Sequence, residues 1–170
     1  AEMEHSPQVG IGGSYVEVVD VSGKTLGLKR GYRSLEPWIL DRPELSFRAG
    51  ADLKAALLTE NYWATTSNFF FRPELLERIS GFRPLRYAHD WDFLLRLLPE
   101  CDLFLVPEPL LKYRVHAANT IRENIASMIF EICWCLAVHL PRLAPALFRR
   151  DSAEPVQRLL HSIFCYGFDK

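Results

Sequence analysis

The segment from Tyr87 to Arg96 constrains the fold most strongly. Its apolar side chains recur at helical spacing, at Trp91, Leu94, Leu95 and Leu98. This spacing predicts a helix with one buried face, and Asp90 falls in or just before its first turn, at the edge of that face. An acid there meets the positive end of the helix dipole and unpaired backbone N–H groups. The pattern therefore predicts a fixed, ionised hydrogen-bond acceptor.

The acids of this segment have two interpretations. Asp90 could cap the helix, and Asp92 could pair with Arg96 four residues on, each contact contributing up to about 1 kcal/mol. For Asp92 the ion pair is the favoured interpretation. For Asp90 the motifs farther along the chain favour a role in chemistry.

The length and charge of the chain limit its class. With 170 residues, 49% of them hydrophobic, it has the size and composition of one soluble globular domain. Its net charge is −1 and it has no long basic run, which argues against a sequence-independent nucleic-acid binder. An anionic ligand would have to be held by a few local cations or by a metal.

The cysteines and the apolar segments bear on the compartment. The four cysteines form no CxxC pair and no regular disulfide spacing, so reduced thiols in a cytoplasmic protein are predicted, and no zinc site. The first residues lack the pattern of a signal peptide. The longest apolar run, Ile125 to Leu140, contains Glu131 and His139 and is shorter than the about 20 residues of a membrane span. No transmembrane segment is predicted, although a peripheral location at the inner face of a membrane is compatible with the chain.

The first third of the chain predicts a β-hairpin. Residues 14–19 are rich in strand formers, residues 20–24 can turn, and residues 25–28 resume the strand pattern. The glycines of residues 10–13 precede a strand and do not open a helix, so a bend with close backbone approach is predicted there, and no nucleotide-binding loop. A short helix is predicted over residues 50–58.

A polar, hydroxyl-rich segment at residues 65–72 leads into an aromatic strand. Its Thr66, Ser67 and Asn68 could cap or turn the backbone, or could present hydroxyls and an amide to a hydroxylated ligand. The two interpretations are equally supported. Pro73 suits the first position of the following helix, and Gly81 suits its end.

The second half of the chain predicts two strands and two helices. Residues 103–106 and 110–116 have strand patterns, and Pro107 and Pro109 are predicted to break the chain between them. A helix over residues 121–140 is apolar nearly all round, which requires two covering surfaces. One of these could belong to a second copy of the chain. A last helix is predicted over residues 156–166.

Five motifs in one order resemble a known family. They are Thr65–Arg72, Gly81-Phe82, His89–Asp92, Pro107–Leu110 and Tyr113–His116. The set resembles the C-terminal half of the inverting, nucleotide-sugar-dependent glycosyltransferases of the GT-A fold, known as glycosyltransferase family two. The resemblance covers residues 9–122. It implies an α/β domain with a mixed sheet, in which residues 1–120 form the acceptor and catalytic-base part and residues 121–170 a helical extension.

The resemblance implies roles for particular residues. Asp90 would be the general base that takes the proton of an acceptor hydroxyl as this oxygen attacks the anomeric carbon of the donor sugar with inversion. His116, in Tyr-Arg-x-His, would lie near the donor diphosphate and help to bind its divalent metal, Mn²⁺ or Mg²⁺. The equally supported alternative is a histidine at a strand end with a satisfied hydrogen bond. The candidate substrate contacts are Thr66, Ser67, Asn68, His89, Trp91, Asp92 and Arg114. The partners would be a nucleotide-sugar donor and a glycan or lipid-linked acceptor, as in polysaccharide biosynthesis.

The chain departs from the family pattern at two points. His89 stands where the family often has glutamate. The upstream Asp-x-Asp, which holds metal and nucleotide at a strand end, has no counterpart, because Asp90-Trp91-Asp92 opens a helix instead. The chain is therefore expected to lack the nucleotide-binding half of the GT-A domain. The alternatives are a non-catalytic module that binds a glycan or a protein and, ranked last, a nucleotidyltransferase of related architecture.

Overall fold

The structure is a computed structural model that describes residues 2–29, 53–54, 57–58, 61–120 and 123–145. The helix predicted over residues 156–166 lies outside these ranges. Of the helix predicted over residues 50–58, the described residues Leu53, Lys54 and Leu57 are helical.

Strand β1, Val9–Val19, lies at the centre of the sheet. Strand β4, Asp102–Arg114, pairs with it in parallel along its whole length. On its other side, β2 (Thr25–Lys29) and β3 (Phe70–Phe71) pair with it antiparallel, one at each end. Nine of the eleven residues of β1 are buried, as expected for a strand covered on both faces. The predicted α/β class with a mixed sheet is thus confirmed.

The predicted hairpin is confirmed, but its first strand starts earlier than expected. Because β1 begins at Val9, residues 10–13 lie inside the strand, and the prediction of a bend there is wrong. The close approach is present. A Cβ atom on Gly10 would lie 2.4 Å from the Cβ atom of Cys101, and one on Gly13 would lie 2.1 Å from Nε1 of Trp63. These glycines let buried side chains pack directly on the strand backbone.

Replacing Gly13 by alanine should therefore destabilise the fold by about 1–3 kcal/mol, because the new methyl group overlaps the fully buried ring of Trp63. Gly12→Ala is the matched control, since its Cβ atom would meet nothing closer than 3.7 Å. Urea unfolding of the two variants measures the difference. An equal loss in both would contradict the steric explanation.

Strand β4 is continuous, so the break predicted at Pro107 and Pro109 is wrong. The pairing runs from Ser14 with Val106 to Tyr15 with Pro109 and Val16 with Leu111. The extra residues are accommodated as irregularities in the register. Proline is tolerated there because a bulge leaves residues without ladder hydrogen bonds. The two predicted strands are therefore one.

Helix α1 is the single turn Glu2–His5 at the start of the chain. Helix α2, Glu74–Ile79, starts after Pro73. Ser80 and Gly81 end it with positive φ angles of 57° and 68°, which confirms both predicted boundaries. Helix α3, His89–Leu97, carries Asp90 in its first turn, as predicted.

Helix α4, Ile125–Leu143, starts later and ends later than predicted. Asn124 caps it, with its side-chain oxygen accepting a hydrogen bond from the backbone N–H of Ser127 at 3.0 Å. Pro141 lies inside the last turn and does not end the helix. The predicted end at residue 140 is wrong because a proline in the last turn of a helix removes only one backbone hydrogen bond.

The core joins the sheet to helices α3 and α4. Phe93, on α3, is fully buried, and its ring stacks on that of Phe82 with centroids 4.0 Å apart. Ile11 and Leu103 of the sheet belong to the same cluster, as does Cys135 of α4. Helix α4 thus packs against α3 within this shared core.

Helix α4 is longer than the apolar run Ile125 to Leu140, whose shortness was the reason for predicting no transmembrane segment. It has 19 residues with a mean hydropathy of 1.3 over its most apolar window, so by length and composition alone it could cross a membrane. Only 33% of that window is buried, and Ile125, Phe130 and Val138 are exposed. The same composition occurs in core helices of soluble proteins, and Met128 and Leu136 pack into the core here.

Candidate functional site

The start of α3 is held by a carboxylate from α4. Glu131 accepts hydrogen bonds from the backbone N–H groups of Arg86 at 2.9 Å, Tyr87 at 2.6 Å and Ala88 at 2.9 Å. Ala88, the residue that precedes the helix, has no side-chain cap of its own. Partial burial acts to raise the pKa of Glu131, but these donors outweigh burial and hold the pKa below its ordinary value. Glu131 therefore fixes the direction in which α3 begins.

The carboxylate of Asp92, one turn into α3, is fully buried and ion-paired. It accepts hydrogen bonds from Nε of Arg96 at 2.8 Å, Nη1 of Arg83 at 3.0 Å and Nε2 of His139 at 2.8 Å. The predicted pair with Arg96 is confirmed. Burial acts to raise the pKa of Asp92, but His139 and the two arginines outweigh it and hold this pKa below its ordinary value. This arrangement gives Asp92 a structural role in place of the predicted substrate contact.

Asp92, Cys135 and His139 also form a group of metal-ligand type. Their donor atoms lie within 4.8 Å of one another and all three residues are buried. By residue type and spacing they could hold a metal ion, at a place where sequence analysis expected none. Two features oppose it: the guanidinium groups of Arg83 and Arg96 already pair with Asp92, and burial raises the pKa of the Cys135 thiol. The surroundings therefore fit an ion-paired core better than a cation site.

Asp92→Asn should cost about 3–5 kcal/mol of unfolding free energy, because it leaves the largely buried guanidinium of Arg96 without its charged partner and weakens the contacts of Arg83 and His139. Asp102→Asn is the control, since Asp102 pairs with Lys54 at 2.9 Å in a partly exposed setting and should change stability by less than about 1 kcal/mol. Urea unfolding at pH 7 measures both. Similar losses would contradict the importance of the buried network.

Acid should weaken the protein through the same network. Because the pKa of Asp92 is depressed in the folded state, its contribution is fully present above the unfolded value of about 3.9 and is lost as the pH falls through the folded value. Unfolding free energies measured from pH 7 down to about pH 3 should therefore fall more steeply for the wild type than for Asp92→Asn. Parallel curves would show that Asp92 does not titrate abnormally.

Asp90 has different surroundings, although it lies only two residues away. The residue is 8% exposed, and one carboxylate oxygen accepts a hydrogen bond from the backbone N–H of Trp91 at 2.7 Å. The charge of His89 and the side-chain amide of Asn61 both favour its charged form. Burial outweighs these contacts and raises the pKa of Asp90. The acid thus sits in the first turn, as predicted. Among residues 2–29, 53–54, 57–58, 61–120 and 123–145, no arginine or lysine forms an ion pair with it, in contrast to Asp92.

The end of β4 approaches Asp90. Burial raises the pKa of Tyr113, and the charge of Asp90 raises it further, so Tyr113 lies within electrostatic range of Asp90. The side-chain nitrogen of Asn119 contacts the Tyr113 hydroxyl at 3.4 Å and donates to the Arg114 carbonyl at 3.2 Å, while its oxygen accepts the backbone N–H of His116. The tertiary structure thereby brings the motif around Asp90 beside the one that ends in His116, whose side chain is exposed.

The other predicted contacts lie in different settings. The amide of Asn68 is buried and bonds to both backbone groups of Ser14, at 3.0 and 2.8 Å, so it has the structural role that was the alternative interpretation. Trp91 is buried, and its Nε1 donates to the carbonyl of Leu57 at 2.7 Å, which makes it a core side chain. Thr66 is half-buried and Ser67 exposed in the short 3-10 helix Thr66–Asn68.

Arg114 points toward the hairpin. Its Nη1 donates to the carbonyls of Asp20 and Val21, at 3.1 Å each. These bonds tie the end of β4 to the turn between β1 and β2. Arg114 is exposed, and its guanidinium links the end of β4 to this turn at the edge of the sheet.

Sequence reasoning missed Asn61 and Glu131. Asn61, 29 positions earlier in the chain, acts to lower the pKa of Asp90. Its backbone carbonyl accepts a hydrogen bond from the buried Lys29 at 3.2 Å. Neither residue belongs to a local pattern. For Glu131 the sequence offers one indication: an acid within an apolar helix requires a polar partner, although the sequence does not say which one.

Comparison of the chain with protein-family models, with curated proteins and with solved structures finds no match.

Proposed function

We propose that this chain supplies the catalytic base and the acceptor-binding side of an inverting glycosyltransferase of the GT-A type. One observation carries the proposal: Asp90 is a buried acid with a raised pKa in the first turn of α3, beside polar groups from two other segments. The order of the sequence motifs supports the same function. Asn61 and Tyr113 provide neighbours of the kind that a hydroxyl-bearing substrate requires.

Asp90 suits a general base for two physical reasons. Burial raises its pKa toward the working pH, which makes the carboxylate a stronger base. Its place in the first turn, where helix N–H groups lie nearby, keeps the ionised form accessible. In the reaction the acceptor O–H bond breaks and its proton passes to Asp90. The acceptor oxygen then bonds to the anomeric carbon as the bond to the nucleoside diphosphate breaks, which inverts that centre.

The donor side would involve His116. Its imidazole is exposed on the loop that follows β4, and imidazole suits Mn²⁺ better than Mg²⁺. A divalent metal bound there would neutralise charge on the leaving diphosphate. His116 does not belong to a metal-ligand cluster among residues 2–29, 53–54, 57–58, 61–120 and 123–145, so further ligands would come from the donor itself or from other parts of the protein.

A cytoplasmic setting and a second copy of the chain complete the proposal. A nucleotide sugar is a cytoplasmic donor, and a glycan or lipid-linked acceptor would be met there or at the inner face of a membrane. The exposed side of α4 carries Phe130 and Val138, Ile125 is exposed at its first turn, and beside the helix lies a groove of about 540 Å³ bordered by Leu85 and Trp134. A second copy could cover this apolar surface.

Replacing Asp90 by asparagine should lower turnover by a factor of about 10²–10⁴, because the amide keeps the shape of the side chain but cannot accept the proton. The assay measures release of UDP, GDP or dTDP from the corresponding nucleotide sugars by the complete polypeptide. Glu108→Gln, at an exposed position of β4, is the charge-matched control and should turn over normally.

Unfolding curves for both variants would show that the loss is chemical and not structural. Near-normal turnover by a folded Asp90→Asn protein would exclude Asp90 as the base.

A further inference from the structure

A large exposed side chain and a groove lie side by side on the outer face of α4. Phe130 is 70% exposed, and Val138, about two turns further on, is 43% exposed. The groove has a volume of about 540 Å³. It is lined by Leu85, Ala126, Ser127, Phe130, Glu131 and Trp134. Phe130 therefore projects from the surface at the border of the groove.

The groove has the form of the hole that receives a side chain when two helices pack. Four of its lining residues, Ser127, Phe130, Glu131 and Trp134, occupy positions i, i+3, i+4 and i+7 of α4. Four residues of one helix surround an inserted side chain of a facing helix in this way. Because Phe130 is itself one of the four, the projecting ring and the hole lie at the same height along α4.

The chemistry of the groove suits an aromatic ring. Leu85 and Trp134 give it apolar walls. The carboxylate of Glu131 is already bonded by three backbone N–H groups ahead of α3, so covering it leaves no unpaired charge. The edge of a phenylalanine ring carries partial positive charge. An inserted ring edge therefore complements the charge of this carboxylate.

We propose that two copies of the chain associate through α4, with Phe130 of each copy inserted into the groove of the other. A two-fold axis between a projecting side chain and an adjacent hole exchanges the two, so the same surface serves both copies. The rotation reverses the direction of the helix, which makes the two α4 helices antiparallel. The inference develops the second-copy part of the proposed function and does not require Asp90 to be the base.

The size of the contact sets the strength of the association. Helix α4 has 19 residues and is therefore about 28 Å long at about 1.5 Å per residue. Each inserted aromatic ring buries about 150–250 Å². A face of this length with two such rings comes close to the roughly 1,200 Å² at which specific interfaces begin. The dimer is therefore weak, with an expected Kd on the order of 10 µM.

A lipid bilayer is the rival occupant, because α4 is apolar enough by length and composition to enter one. Binding to a bilayer grows with the apolar area that is buried, whereas the dimer needs an open groove. A bulky apolar side chain placed in the groove therefore has opposite effects on the two. It strengthens attachment to a bilayer and blocks entry of the partner's ring.

The first test is sedimentation velocity of the full chain from about 1 to about 200 µM, which brackets the expected Kd. The wild type should pass from monomer to dimer over this range. Phe130→Ala should raise the Kd at least about 30-fold, because it removes both inserted rings. Phe70→Ala is the matched control, since Phe70 on β3 is 77% exposed, and it should dimerise like the wild type.

The second test fills the groove. Ser127 is exposed and lines the groove, so the indole of Ser127→Trp should block it and abolish the dimer although it adds apolar surface. Co-sedimentation of the same proteins with vesicles of phosphatidylcholine and phosphatidylglycerol measures attachment to lipid. Urea unfolding checks that both variants are folded, and if one fails to fold, the other decides.

Three results would overturn the inference. One is a folded wild type that stays monomeric over the whole concentration range. Another is a dimer that Phe130→Ala and Ser127→Trp leave intact. The third is association that Ser127→Trp strengthens, which would indicate non-specific apolar contact. A monomer that binds vesicles, and binds them more tightly as Ser127→Trp, would assign the surface to a bilayer and exclude the dimer.

Dimerisation and catalysis are tested separately. Asp90→Asn leaves the outer face of α4 unchanged, so it should dimerise like the wild type whatever its turnover. A dimer with the expected variants, together with normal turnover by Asp90→Asn in the complete polypeptide, would retain the dimer and exclude the base. Loss of turnover in Asp90→Asn with a monomeric wild type would retain the base and exclude the dimer.

Discussion

The buried carboxylate of Asp92 is the interaction on which the rest of the structure depends. It joins three segments, because Arg83 precedes α3, Arg96 lies on α3 and His139 lies on α4. Such a buried ion cluster is tolerated only when every charge has a partner. With Glu131 bonded to the backbone ahead of α3, it sets the angle between the two helices. The position of Asp90 follows from that angle.

Asp90 and Asp92 show how one helix turn can hold two acids with opposite properties. Both are buried, which by itself raises the pKa of a carboxyl group. Asp92 has two guanidinium groups and an imidazole as partners, and its pKa falls. Asp90 has the amide of Asn61 and the N–H of Trp91, and its pKa rises. One acid is thereby committed to structure, and the other has the surroundings of a proton acceptor.

Helix α4 both anchors α3 and presents an exposed apolar surface. Its inner side supplies Glu131 and His139, which hold α3, together with core residues such as Leu136. Its outer side exposes Phe130 and Val138. The anchoring of the site and the exposed apolar surface are thus on one rigid element, so a partner that covered the outer side would also stabilise the helix that positions Asp90.

The sequence alone determined what depends on local pattern. Helical spacing located α3 and put Asp90 in its first turn, and strand formers with a turn located the hairpin. The i, i+4 spacing predicted the pair of Asp92 with Arg96. Each of these features depends on neighbours a few residues apart. Only the tertiary structure decided that prolines sit inside β4 and at the end of α4, since pairing and packing outweighed their local preference. The tertiary structure also decided that Trp91 belongs to the core, that Glu131 holds the start of α3, and that Asn61 influences Asp90. These interactions join residues 29 to 45 positions apart, and no local pattern encodes the approach of such distant segments.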